Sequence, residues 1–439
     1  MNKTVYIIWG LCMGIVLFSG CKRQEKNIDD TVSISNNIND ETSNLEEKEL
    51  IIDNVEGENN NLNKKRVLPI ATTNYASKEM ISRSNLGTGN LLNLKNVMKR
   101  AEKKEEITIG FIGGSITEGS SATQSQNSYA YKTYEWFSEA FKETKVNYVN
   151  AGIGATNSYL GVHRVETDLL NYNPDVIVIE YSVNDSNTNF YKETYEDLIR
   201  KIISYNNKIA IILLFTTMED GTSAQSNHVN VGFYYDIPRI SYREAILESI
   251  ANGEFTWRDI SPDNIHPNDR GHGIITELMY SFFNQVLSSL DNENTQIEIV
   301  DNSLPTSLFL GRYMDAYIAD AKLITPTKLG SFYESSVHDR YKNGWSTKTG
   351  DESIIFWVEC KNIGIMFYAM TNGQYGQYEV YIDGEYKETL DGDFKDGWGD
   401  YAETTEVYRG KEKQKHIIEI RRAKDSSGEQ FHILGLLIS

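Results

Sequence analysis

Between about residues 90 and 290 short apolar runs alternate with longer stretches of helical period. The runs 107–112 (ITIGFI), 146–150 (VNYVN), 175–181 (DVIVIEY), 208–216 (KIAIILLFT) and 254–258 (EFTWR) predict strands. Between them lie SYAYKTYEWFSEAF (128–141), GVHRVETDLLNY (161–172), ETYEDLIRKIIS (193–204) and ISYREAILES (240–249), and RGHGIITELMYSFFNQVLSSL (270–290) follows the last run. In the third, Tyr195, Leu198, Ile199, Ile202 and Ile203 recur at the spacing of one buried helical face. Strands apolar on both faces, alternating with helices, imply an α/β domain whose parallel sheet is covered on both sides.

After about residue 318 the helical period disappears. SIIFWVEC (353–360), IGIMFYAM (363–370), QYEVYIDGEYKE (377–388) and KHIIEIRR (415–422) predict strands, with Asp383-Gly384 as a hairpin turn. Residues 318–439 therefore read as a separate antiparallel β-sandwich. Before residue 66 no core is expected. Residues 22–65 hold no aromatic and no proline and are rich in Asn, Glu, Asp and Lys, so they predict a flexible tether.

The N-terminus changes the picture of where the chain works. MNKTVYIIWGLCMGIVLFSGCKRQ carries one early lysine, an apolar stretch from Val5 to Phe18, then small residues ending in cysteine, the pattern of a secretory signal. LFSGC resembles the lipobox of bacterial lipoproteins, with Phe18 where leucine is commoner. The resemblance implies a signal peptide over 1–20, diacylation of Cys21, a tether over 21–65 and an extracytoplasmic body on the cell membrane. Of Cys12, Cys21 and Cys360, only Cys360 then remains as a free thiol.

Charge narrows the partners. The 439 residues carry 43 Lys and Arg against 62 Asp and Glu, a net charge of −19. This argues against nucleic acid, whose phosphates call for cationic contacts, and against a polybasic membrane patch.

Four loops, each after a predicted strand, carry the candidate chemistry. The strand ITIGFI runs into Gly113-Gly114 and delivers Ser115 in GGSIT; NAGIGATNS (150–158) is a glycine loop opening a helix. Asn184 and Asp185 close VND (183–185), and Asp263 and His266 lie in DNIHPNDRGH (263–272). Together these resemble the blocks of the SGNH/GDSL hydrolases over about residues 90–290. The resemblance implies a flavodoxin-like three-layer fold over 66–300, with a jelly-roll-like sandwich behind it.

It also implies the roles. Ser115 is the nucleophile, His266 the base that takes its proton, and Asp263 the acid that orients the imidazole. The oxyanion donors are the Ser115 amide, the Asn184 side chain and an amide at Gly154 or Ala155, where the family often has glycine at the latter. Ser182 stands where the family usually has glycine and predicts an altered substrate wall. His272, six residues past His266, competes as base but reads better as part of the helix start. His163 reads as helix packing, and His228, His338, His416 and His432 as surface or hydrogen-bonded residues. GGSIT lacks the second glycine of an α/β-hydrolase elbow, and GIGATN lacks the last glycine of a dinucleotide fingerprint. No His, Cys and carboxylate spacing suits a metal, so neither metal nor cofactor is implied.

GGSITEG and NAGIGAT resemble the carbohydrate esterases that remove acetyl groups from polysaccharides. Trp345, Tyr375, Trp398 and Tyr401, in loop-like contexts of the sandwich, are candidates for stacking on sugar rings. A lipase or lysophospholipase would favour longer acyl chains and an apolar access surface, and no long apolar lid is evident. A glycan-binding surface lipoprotein with a vestigial site is the third reading; the retained Ser, Asn, Asp and His set counts against it.

Overall fold

The structure is a computed structural model and describes residues 67–292, 304–395 and 399–439. The signal peptide, Cys21, the whole of the tether over 21–65 and Trp398 lie outside the described residues.

Six strands form the first sheet: β1 (Asn85–Gly87), β2 (Ile107–Gly113), β3 (Val146–Gly152), β4 (Val176–Glu180), β5 (Ala210–Phe215) and β6 (Arg239–Ser241). Their order is β1-β6-β5-β4-β2-β3, all neighbours parallel except β1 with β6. Without β1 this is the flavodoxin-like order, with its switch point between β2 and β4. Every residue of β2, β4 and β5 is buried, as their continuous apolar runs require.

The helices are α1 (Lys78–Ser84), α2 (Leu92–Glu102), α3 (Ser115–Glu118), α4 (Tyr129–Ala140), α5 (Ser158–Asp168), α6 (Asn189–Tyr205), α7 (Gln225–Tyr234), α8 (Tyr242–Ala251), α9 (Trp257–Ile260) and α10 (Asp269–Ser289). One core joins the sheet to α1, α2, α4, α8 and α10. A second joins it to α5 and α6. The expected strand at 254–258 is not formed. Thr256 instead closes a capping box with Asp259 and starts α9, and the sheet ends in β6 and β1.

The second sheet is antiparallel, with strands β7 (Tyr317–Ala319), β8 (Tyr333–Ser335), β9 (Gly344–Thr347), β10 (Ile354–Ala369), β11 (Gln377–Ile382), β12 (Glu385–Asp391), β13 (Tyr401–Arg422) and β14 (Phe431–Ile438). The two runs 353–360 and 363–370 are one strand, β10, whose irregularities at Cys360–Gly364 kink it without ending it. Asp383 (φ 54°) and Gly384 (φ 84°) make the expected hairpin turn. The sandwich has its own core around Trp345, Phe356 and Ile420. It also shares one with the α/β domain, because Tyr313, Met366, Leu434 and Leu437 pack into the α5–α6 layer. Trp345 is fully buried and Tyr375 nearly so, with its hydroxyl 2.5 Å from His432 Nε2, so both are core residues rather than sugar platforms. Cys360 is a buried free thiol, and burial pushes its pKa up to about 12.

Candidate active site

The glycines before Ser115 are needed for close approach. A Cβ on Gly113 would lie 2.2 Å from Thr117 Oγ1, and one on Gly114 would lie 2.1 Å from Asn184 Oδ1. Glycine lets β2 turn directly into α3, which places Ser115 at the first helical position beside the Asn184 side chain.

His266 Nε2 lies 2.9 Å from Ser115 Oγ, and His266 Nδ1 lies 2.8 Å from Asp263 Oδ2. The carboxylate therefore selects the tautomer with Nδ1 protonated and leaves the Nε2 lone pair for the serine. The loop holding this pair is tightly pinned. Asp263 Oδ1 accepts the N–H groups of Ile265 and His266, while the Asp263 carbonyl accepts from Trp257 Nε1 at 2.6 Å. The Ser261 hydroxyl lies within hydrogen-bonding reach of the carbonyls of both Asp263 and His266. Partial burial pushes the Asp263 carboxyl up, but the hydrogen bonds from His266 and Ile265 outweigh it and hold it below the ordinary carboxylate range. It stays ionised as a partner for an imidazolium.

His272 sits elsewhere. It is fully buried on α10, accepts the Tyr129 N–H at Nδ1 and donates from Nε2 to the Ser120 carbonyl. Burial lowers its pKa to about 4. It ties α10 to α4 and to the turn after α3.

The remaining sequence candidates divide. Asn184 is only partly buried, its Oδ1 against Gly114. A Cβ on Gly154 would come within 3.8 Å of Ser115 Cβ, so the glycine loop borders the nucleophile. The Gly154 N–H, however, donates to Glu118 Oε2 at 2.9 Å. Ala155 holds the left-handed conformation (φ 57°), the backbone state for which glycine is the commoner residue. Ser182 is fully buried, so it forms no part of a substrate wall; its carbonyl accepts the Ala224 N–H that opens the approach to α7.

Two acidic groups, Glu118 and Glu180, escaped the sequence reading, as did the partner of His228. Glu118 stood out only by lying one helical turn from Ser115. Glu180, at the end of β4, is fully buried, with Oε1 accepting from Thr216 Oγ1 (2.6 Å) and the Ser182 N–H (3.0 Å). Burial raises its pKa to about 7 against those hydrogen bonds. His228 is buried against Asp185, and nothing in QSNHVNV signals that pairing. His163 packs inside α5 with Nδ1 on the Tyr159 carbonyl, while His416 and His432 are buried and hydrogen-bonded rather than superficial.

Beside the nucleophile loop lies a cavity of about 380 Å³. Glu118, Ile153 and Gly154 form its α/β side; His338, Arg340, Tyr368, Asp400 and Tyr401 form its sandwich side. Of the three aromatic candidates among the described residues, Tyr401 is the one placed there.

Residues 111–274 match the model of the GDSL-like lipase/acylhydrolase family. A two-domain esterase active on acetylated mannans is 31% identical, with a TM-score of 0.75 over 82% of this chain and 98% of its own. A two-domain esterase active on acetylated mannans, co-crystallized with mannopentaose, gives 30% identity and a TM-score of 0.74 over 82% and 97%. No curated protein matches the chain by sequence.

Proposed function

The chain belongs to the GDSL-like lipase/acylhydrolase family and is a carboxylic ester hydrolase, and we propose that it removes O-acetyl groups from a polysaccharide, acetylated mannan first among those to test. The observation that carries this reading is the Ser115–His266–Asp263 chain of contacts opening beside a polar cavity walled by both domains.

In the proposed reaction Ser115 Oγ attacks the acetyl carbonyl while His266 Nε2 takes its proton, and Asp263 stabilises the imidazolium. The carbonyl oxygen becomes an oxyanion, met by the Ser115 amide, the Asn184 side chain and an amide of the glycine loop. The C–O bond to the sugar breaks, and His266 returns the proton to the leaving hydroxyl. Water, activated by the same imidazole, then releases acetate from Ser115. Carboxylates, a guanidinium and aromatic rings around the cavity suit sugar hydroxyls and ring faces better than an acyl chain.

We also place the enzyme outside the cytoplasm, anchored through Cys21. The apolar stretch from Val5 to Phe18 and the LFSGC at its end support this reading. The function is tested by acetate release from acetylated mannan, xylan, pectin and peptidoglycan, alongside aryl esters of increasing chain length. Turnover on an acetylated glycan with rates falling beyond acetyl is expected. Rates rising towards octanoyl, with no release from any glycan, would favour the lipase reading.

A further inference from the structure

Asp185 follows Asn184 directly, yet its side chain is fully excluded from solvent. Its Oδ1 accepts the N–H of Ser158 at 2.8 Å, and its Oδ2 lies 3.0 Å from His228 Nε2. Since a carboxylate only accepts, His228 carries its proton on Nε2. The imidazole lies flat on the Tyr195 ring, with centroids 3.7 Å apart and planes 6° apart. Its Nδ1 is buried with no hydrogen-bond partner among the described residues.

The placement of this carboxylate matters more than its burial. Ser158 is the first residue of α5, three residues after Ala155 and directly C-terminal to the glycine loop. Asn184 and Asp185 sit in the turn after β4, where both of their N–H groups donate to the Tyr181 carbonyl. The sheet order β4-β2-β3 puts the strand carrying Ser115 between the two segments that Asp185 joins. One carboxylate thus fixes the separation of the Asn184 turn and the glycine loop across the nucleophile. Burying a carboxylate with its hydrogen-bonding partners is an inefficient way to gain stability, since apolar packing does as well or better. What the pair supplies is a fixed geometry.

We propose that Asp185 and His228 are positioning residues for the oxyanion site, holding the Asn184 turn and the Gly154–Ala155 loop at the spacing that a tetrahedral intermediate requires. The inference rests on reading Asn184 as an oxyanion donor. Asp185 makes the link, and His228, clamped on Tyr195, prevents the carboxylate from turning away from the Ser158 amide.

The test is a double-mutant cycle on aryl acetate hydrolysis, read as kcat and KM well below the lowest thermal midpoint of the set. His228→Phe keeps a ring on Tyr195 and removes the donor. It should lower kcat about tenfold with KM within about twofold, because misplaced donors weaken transition-state binding more than substrate binding. His228→Gln, which restores an N–H, should recover most of the loss. On the Asn184→Ala background, His228→Phe should cost less than about twofold, since part of what it positions is already gone. If His228→Phe does not fold, Asp185→Asn takes its place in the cycle with the same expectations. An unchanged kcat in His228→Phe or its replacement, or the same factor on both backgrounds, overturns the proposal. Asn184→Ala with wild-type kcat would instead remove the reading of Asn184, and this inference with it.

Discussion

Ser115 Oγ and His266 Nε2 lie 2.9 Å apart although 151 residues separate them in the chain. The contact exists because β2 ends at the topological switch point while α9 and the pinned loop after it close over the same end of the sheet. Ser115→Ala is expected to abolish ester hydrolysis. His266→Ala should lower kcat by about 10³-fold or more, and Asp263→Asn by somewhat less. His272→Ala should keep kcat within a few-fold but lower the thermal midpoint, because it empties a buried site and frees the Tyr129 amide and the Ser120 carbonyl. Rates and midpoints measured together check the set. An active His266→Ala beside a folded but inactive His272→Ala would reverse the assignment of the base.

Glu118 and Gly154 discriminate between the two loop amides. With the Gly154 N–H already donated to the Glu118 carboxylate, the Ala155 amide is expected to serve the oxyanion. Glu118→Ala should then loosen the loop and reduce kcat about three- to tenfold, and Glu118→Gln, which keeps an acceptor oxygen, should reduce it less. If Gly154 were the donor, removing its competitor would raise kcat. The direction of change in steady-state kinetics decides.

Glu180 gives a signed pH prediction. Its folded pKa of about 7 lies above the unfolded carboxyl value, so its contribution is fully present in acid. That contribution is lost as pH rises from the unfolded value towards 7, because only the folded state still holds the proton. Glu180→Gln cannot lose it. The thermal midpoint of the variant minus that of wild type should therefore increase between about pH 5 and pH 8, by at least about 2 °C. His163 and His272, whose pKa values burial lowers to about 3 and about 4, destabilise both proteins alike below neutrality and cancel in the difference. A difference that is flat or falls with pH would show that Glu180 is ionised in the fold throughout.

Cys21 carries the expectation about location. Two acyl chains anchor a protein stably where one does not. Cys21→Ser should leave unprocessed precursor or release the protein from the membrane fraction, and mass spectrometry of the wild type should find a diacylated N-terminal cysteine. An unmodified Cys21 with unchanged membrane retention would exclude the lipoprotein reading.

The sequence by itself determined the class of each domain and the loops that hold the chemistry. Continuous apolar runs such as VIVIE and AIILLF can be buried only in a sheet covered on both faces, and Gly113-Gly114 before Ser115 announces a turn too tight for side chains. Local pattern also located the Asp263–His266 turn, because residues three apart can meet without help from the rest of the chain. Tertiary structure decided everything that depends on who covers whom. Thr256 and Trp257 read as strand residues until a capping box drew them into α9. Trp345 and Tyr375 have the composition of a sugar platform, but the packing of the second sheet encloses them, and Tyr401 reaches the cavity instead. Asp185, in the turn after β4, and His228, on α7, come together from 43 residues apart, and Glu118 meets Gly154 across the ends of neighbouring strands. A side chain's type and spacing state what it can do, but its protonation, its partner and its exposure are set by distant segments that only the folded chain brings together.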